Sequence, residues 1–257
     1  MKEKINISKE RYTPEILGVL IGMGALTLWY FSSLAIDEVV VPSSFQSIIT
    51  ICGSAFGAFF GAYCAFKLRQ HEENQNKRAK RKTALDVCLF IMARQHNAIG
   101  LLKTVYDRHP KELARAFSMP AIKPPDYKDL KINIDDLMFL ANEEHVDFLF
   151  QLSIEQERFE QAIYAVNLRN EHAIEKLQPA IADRQKNGRS LTFSELRPEL
   201  GDEIYFTSLN MANAAYEQLT LHLESVYNIH NELHAIATTI FPGERFPKIG
   251  EKIDTTS

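Results

Sequence analysis

The sequence predicts an all-α membrane protein, in which a two-helix transmembrane hairpin is followed by a cytoplasmic antiparallel helical bundle with coiled-coil character. Three observations predict it. Two stretches near the N-terminus, residues 16–36 and 39–66, carry no Asp, Glu, Lys or Arg. Basic residues flank these stretches on one side only. Farther along, apolar residues recur at heptad spacing in two long segments.

The average composition hides this pattern. Mean hydropathy is −0.19, because the apolar residues are concentrated at one end. A helix needs about 20 apolar residues to cross a hydrocarbon core about 30 Å thick, and each uncharged stretch is long enough. The first is too long for a cleaved signal peptide and has no small-residue cleavage site before a polar segment. The expected order is a cytoplasmic N-terminus over 1–15, spans at 16–36 and 45–66, and an outside loop at 37–44.

Lys2, Lys4, Lys9 and Arg11 precede the first span, and Lys67, Arg69, Lys77, Arg78, Lys80, Arg81 and Lys82 follow the second. The loop between them has Asp37 and Glu38 and no basic residue. Lys/Arg bias in short flanking segments sets orientation, so both termini are expected in the cytoplasm. Trp29, Tyr30 and Phe31 suit the outer interface and Tyr12 the inner one. Lys77, Arg78, Lys80, Arg81 and Lys82 have two readings: contact with anionic lipid headgroups, or a topology signal on a solvated helix face.

Gly53, Gly57 and Gly61 repeat every four residues, with a shorter stripe at Gly18 and Gly22. In water such glycines weaken a helix, whereas in lipid they let helix backbones approach closely, so they are the expected span-packing residues. Ser47, Thr50 and Ser54 share the glycine face. They line a pore in an oligomer, or they bond their own backbone or a neighbouring helix. Neither span carries a charge, so an ion-pathway carboxylate and a proton relay are excluded there.

No Pro or Gly occurs from Ala62 to Ile99, so the second span is expected to continue as a juxtamembrane basic helix and stalk over 67–109, which Pro110 stops. Its heptad is Leu85, Cys88, Met92, Gln95, Ile99, Leu102 and Tyr106. The bundle is expected over 110–241: a short helix near 110–119, a loop at 120–126, a helix at 134–141, and a long helix from about Asn142 to Asn187 that Pro179 shortens or kinks. Residues 194–198 form a brief irregular or helical piece. The last long helix, 203–241, carries the heptad Leu209, Ala212, Tyr216, Leu219, Leu223, Val226, His230, Leu233, Ala237 and Ile240. Pro242 and Gly243 end it, leaving a tail over 242–257.

The search for chemistry yields little. His230 and His234 stand one helical turn apart, a spacing that can hold a metal, but Glu232 is misplaced for a metalloprotease, and His230 falls on the seam. No Gly-rich phosphate loop and no nucleophile elbow occur. The three cysteines, Cys52, Cys64 and Cys88, are too scattered for a disulfide framework or zinc site. The acidic runs at 135–136, 143–144 and 155–157 read as solvated helix faces. No enzyme signature, resident metal or cofactor is expected. Residues 83–257 carry a net charge of −8, which argues against direct nucleic-acid binding. Gln95, Asn170 and His230 on or near predicted seams can set register, and a seam histidine can respond to pH.

The stretch from Leu137, Met138, Phe139 and Leu140 through Phe159, with Ile163, Asn167, Arg169 and Asn170, resembles a pattern in bacterial two-span proteins. So does a long last helix running into Phe241, Pro242, Gly243, Glu244, Arg245 and Phe246. The similarity covers roughly residues 14–249 and is to two-transmembrane effectors of anti-phage defence, notably of the retron-associated type. It implies abortive infection: a homo-oligomer that permeabilises the membrane once a cytoplasmic regulatory protein or ribonucleoprotein complex releases it. The alternatives are a membrane-anchored scaffold or receptor recruiting a cytoplasmic partner, and a lipid-acting or metal-dependent enzyme using His230 and His234.

Overall fold

The computed structural model describes residues 3–37, 44–122, 124, 126–185 and 192–250, and every secondary-structure element among them is helical. The α-helices are α1 (Glu3–Asp37), α2 (Ser44–Asp107), α3 (Glu112–Phe117), α4 (Val146–His172), α5 (Gln178–Gln185) and α6 (Phe193–Ile240). Two 3₁₀ helices, Lys128–Leu130 and Asp135–Glu143, lie between α3 and α4, and one π-helical turn, Ala173–Leu177, joins α4 to α5. Most of the expected outside loop, residues 38–43, and the expected helix end at Asn187 lie outside the described residues.

The chain forms two compact units, Met1–Ala79 and Lys80–Ser257, divided within α2. In the first unit two helices are long and apolar enough to cross a membrane. Neither apolar window has any buried residue, and Leu28, Phe31, Ile51, Phe56 and Phe59 all stand exposed. A core helix of a soluble domain hides such residues, because each large apolar side chain left in water forgoes about 1.5–3 kcal/mol.

The second unit has a conventional core. All seven residues of the first predicted heptad are buried: Leu85, Cys88, Met92, Gln95, Ile99, Leu102 and Tyr106. One cluster joins Leu85, Leu89 and Met92 to Leu149 and Leu152 of α4 and to Val226 and Leu233 of α6. A second joins Ile99, Leu102 and Tyr106 to Phe159 and Val166 of α4 and to Ala215 and Leu219 of α6. The division expected at Pro110 is therefore displaced: from Lys80 onward α2 is a core helix of the second unit, since its seam is covered by α4 and α6 and not by solvent.

Several expected elements take different forms. The segment expected as a helix at 134–141 is a 3₁₀ helix, ended by Glu144 in the left-handed conformation (φ 66°). α4 starts at Val146 rather than near Asn142. It does not run unbroken to Asn187, because Pro179 lacks an N–H and its ring excludes the carbonyl four residues earlier. The backbone widens into the π turn, where Gln178 N–H donates to Ala173 O.

The last helix begins at Phe193, ten residues ahead of the expected start. Thr192 N–H donates to Glu195 Oε2 at 3.0 Å, one half of a capping box. Gly201 (φ 78°, ψ 159°) then separates the leading segment from the long helix. A small cluster of Leu177, Leu196 and Leu200 packs the leading segment. A Cβ on Gly201 would meet nothing within 4 Å, so only the backbone conformation demands glycine there. Gly201→Ala is expected to lower stability by about 1–3 kcal/mol, read as a reduced denaturant midpoint with an unchanged m value.

Candidate functional site

The second unit holds a polar core that its sequence pattern conceals. Glu155 and Gln156, expected on a solvated face, are buried on α4, whereas Glu157 beside them is exposed. Glu155 Oε1 accepts a hydrogen bond from Ser225 Oγ at 2.8 Å. It also lies 2.7 Å from His222 Nδ1, a contact close enough for an ion pair but poorly aligned for a hydrogen bond. Arg158 Nη1 stands 3.4 Å from the other carboxylate oxygen. Gln95 Nε2 donates to Leu130 O at 2.7 Å and to Gln156 Oε1 at 2.9 Å, and Ile132 N–H donates to the same oxygen at 3.0 Å. These bonds tie α2, α4 and the segment after the first 3₁₀ helix into one register.

Glu155, His222 and Ser225 are the residue types of an acyl-transfer triad, but not its order. The hydroxyl donates to the carboxylate rather than to the imidazole, and both the carboxylate and the imidazole are sealed from solvent. The arrangement serves packing. The Cys88 thiol is likewise inert, because burial pushes its pKa up to about 12.

A second polar knot holds α3 against α4. The buried Arg169 guanidinium donates to Met119 O at 2.6 Å, Pro120 O at 2.9 Å and Arg115 O at 3.2 Å. These carbonyls close the C-terminal end of α3, where the helix dipole favours a cation. Asn170 brackets Ile122, accepting its N–H at 3.1 Å and donating to its carbonyl. Arg115 donates to Pro110 O at 3.0 Å, and its guanidinium carbon lies 4.2 Å from the centre of the Tyr216 ring. Arg169 and Asn170, quoted for the resemblance, thus hold a loop and a short helix in place.

Burial on α6 departs from the strict heptad. Ser208, Ala215 and His222 are buried, whereas the heptad residues Leu209, Tyr216 and Leu223 beside them are only partly covered. α6 packs against both α2 and α4, which calls for a stripe wider than the a/d seam. Counting that wider stripe would have drawn His222 into the core, since it shares the face of Val226 and His230. His230 is buried as expected of a seam residue, and neither ring nitrogen has a hydrogen-bond partner. No group of three or more His, Cys, Asp or Glu among the described residues is arranged to hold a metal ion.

In the first unit an apolar groove of about 1200 Å³ runs between α1 and α2, lined by Gly18, Gly22, Trp29, Gly53, Gly57 and Gly61 among others. A Cβ on Gly53 would sit 3.9 Å from the Trp29 ring, whereas at Gly18, Gly22, Gly57 and Gly61 it would meet nothing within 4 Å. Of the two stripes only Gly53 has a neighbour within 4 Å, and that spacing would accommodate a methyl group. Ser54 Oγ donates to Ile51 O at 2.9 Å, within its own helix. The side chains of Ser47 and Thr50 lie outside the described residues.

The basic residues after the second apolar stretch are partly engaged. Arg81 Nη1 contacts Glu143 Oε1 at 3.3 Å and its guanidinium lies over Phe139, while Lys82 Nζ contacts Asp86 Oδ2 at 2.8 Å and lies over Phe246. Lys77 and Lys80 are exposed.

No protein-family model matches the chain, and comparison with curated proteins and with solved structures found no match.

The buried carboxylate is testable against its neighbour. Glu155→Ala leaves His222 and Ser225 without their anionic partner and is expected to cost about 3–5 kcal/mol. Glu157→Ala, on the solvated side, is expected to stay within about 0.5 kcal/mol of the parent. Urea or thermal unfolding of the two variants side by side checks the difference.

Proposed function

We propose that the protein is an inner-membrane effector of a bacterial anti-phage system, which assembles through its two spans and permeabilises the membrane when a cytoplasmic partner releases it. The observation that carries the reading is the exposed apolar surface of α1 and α2, with Gly18, Gly22, Gly57 and Gly61 uncovered along it. Water does not tolerate that surface, and a bilayer does. Within a bilayer, small-residue stripes left open in one chain supply a contact for the spans of another. The basic flanks and the acidic loop favour a cytoplasmic second unit. The resemblance to retron-associated effectors supplies the biological setting, with the second unit as the part that a regulatory protein or ribonucleoprotein restrains. Lys77 and Lys80 remain the candidates for anionic headgroup contact.

A second reading is favoured by one feature of the second unit. Val87, Phe90 and Leu101 stand exposed on α2, on the side away from its buried seam. A membrane-anchored scaffold would use such a face to recruit a partner.

Membrane potential and dye entry in bacteria expressing the chain separate these readings. The parent is expected to depolarise the cells and admit dye, and Gly57→Leu, at equal expression, to reduce both at least tenfold. An intact membrane in parent cells, with and without phage challenge, favours the scaffold.

A further inference from the structure

His96 of α2 lies within electrostatic reach of His222 and of His230, both on α6. His222 and His230 are fully buried and His96 half-buried. Neither His230 nitrogen, nor Nε2 of His222, has a hydrogen-bond partner. We propose that His96 and His230 form a proton-sensitive lock on the packing of α2 against α6: the rings hold the seam closed while neutral, and proton uptake opens it.

Among the described residues, the charged groups that bear on these two rings are other histidines. His230 faces His96 from α2 and His234 from its own helix, with apolar Val226 and Leu233 among the buried residues of the same face. His96 faces His222 and the Tyr227 ring, 6.4 Å between centroids. The buried carboxylate of α4, Glu155, is held by His222, Ser225 and Arg158. Lys248, a cation, in turn disfavours a proton on His234. Burial first, then His234 and His96, lowers the His230 pKa to about 4, with Asn231 opposing weakly. Burial first, then His222, lowers that of His96.

The direction follows from linkage. A histidine whose pKa falls on folding stabilises the fold above its unfolded value, about 6.5. It surrenders that stability as pH drops through the folded value. The window for His230 therefore runs from about pH 6.5 down to about 4, and a fall from pH 7.5 to 5.5 shifts the opening equilibrium by about tenfold. The lock belongs to the second unit, and it stands whether or not the spans permeabilise a membrane.

Hydrogen exchange of the full-length protein in lipid nanodiscs, corrected for intrinsic rates, tests it. Peptides covering 85–106 and 219–237 are expected to lose about tenfold protection between pH 7.5 and 5.5. His230→Gln and His96→Gln, which cannot titrate, are expected to flatten that slope. Deuterium exchange at the imidazole C2 positions of the parent, followed by mass spectrometry, reads each histidine's pKa without any substitution. A His230 ring titrating at or above 6.5, or equal slopes in the parent and both variants, would overturn the proposal.

Discussion

Glu155 is the charge around which the second unit is packed. A carboxylate taken out of water is costly unless polar groups surround it, and here a hydroxyl, an imidazole and a guanidinium approach it. Ser225 and His222 reach it from α6, and Arg158 approaches from α4 itself. α6 cannot slide along α4 by a residue without stranding that carboxylate. Gln156, the next residue, performs the equivalent task toward α2 through Gln95. Two adjacent side chains on one helix thus fix the register of the other two, between apolar clusters that by themselves tolerate sliding.

The two units present opposite surfaces. In the second, leucines, isoleucines and aromatic rings converge and polar groups are bonded inside, as water demands. In the first, large apolar side chains point outward from two helices with almost nothing buried, an arrangement that only a hydrocarbon surround or another protein surface makes favourable. The glycines have opposite consequences in these settings. Gly201 is required by a backbone turn at positive φ, whereas Gly57 and Gly61 sit in regular helix beside open space. A regular helix gains nothing from glycine in water.

The helix breakers shape the far end of the second unit. Pro179 turns the end of α4 into a π turn, and Gly201 offsets the start of α6. The short helices between them rest on a three-leucine cluster. Arg169 and Asn170, immediately before the π turn, anchor α3 and Ile122 through backbone atoms, so this end is held mainly by hydrogen bonds to carbonyls.

The sequence by itself determined the helical class, the two apolar stretches and the seam of α2. Each is written in a local pattern: runs without charge, spacing of three and four, and prolines that stop a helix. The seam of α6 was legible only in part. Leu219, Val226, His230 and Leu233 are buried where the heptad puts them, but Leu209, Tyr216 and Leu223 yield to Ser208, Ala215 and His222. A helix packed on two neighbours buries a stripe wider than any two-residue repeat reveals. Glu155 and Glu157 look alike along the chain, two residues apart in one acidic run. Only the tertiary structure decided which enters the core, because the choice depends on where His222 and Ser225, some seventy residues later, are brought by the fold. The open glycine stripes have the converse standing. Their spacing is plain in the sequence, and only the folded chain shows that Gly18, Gly22, Gly57 and Gly61 have no neighbour of their own within 4 Å.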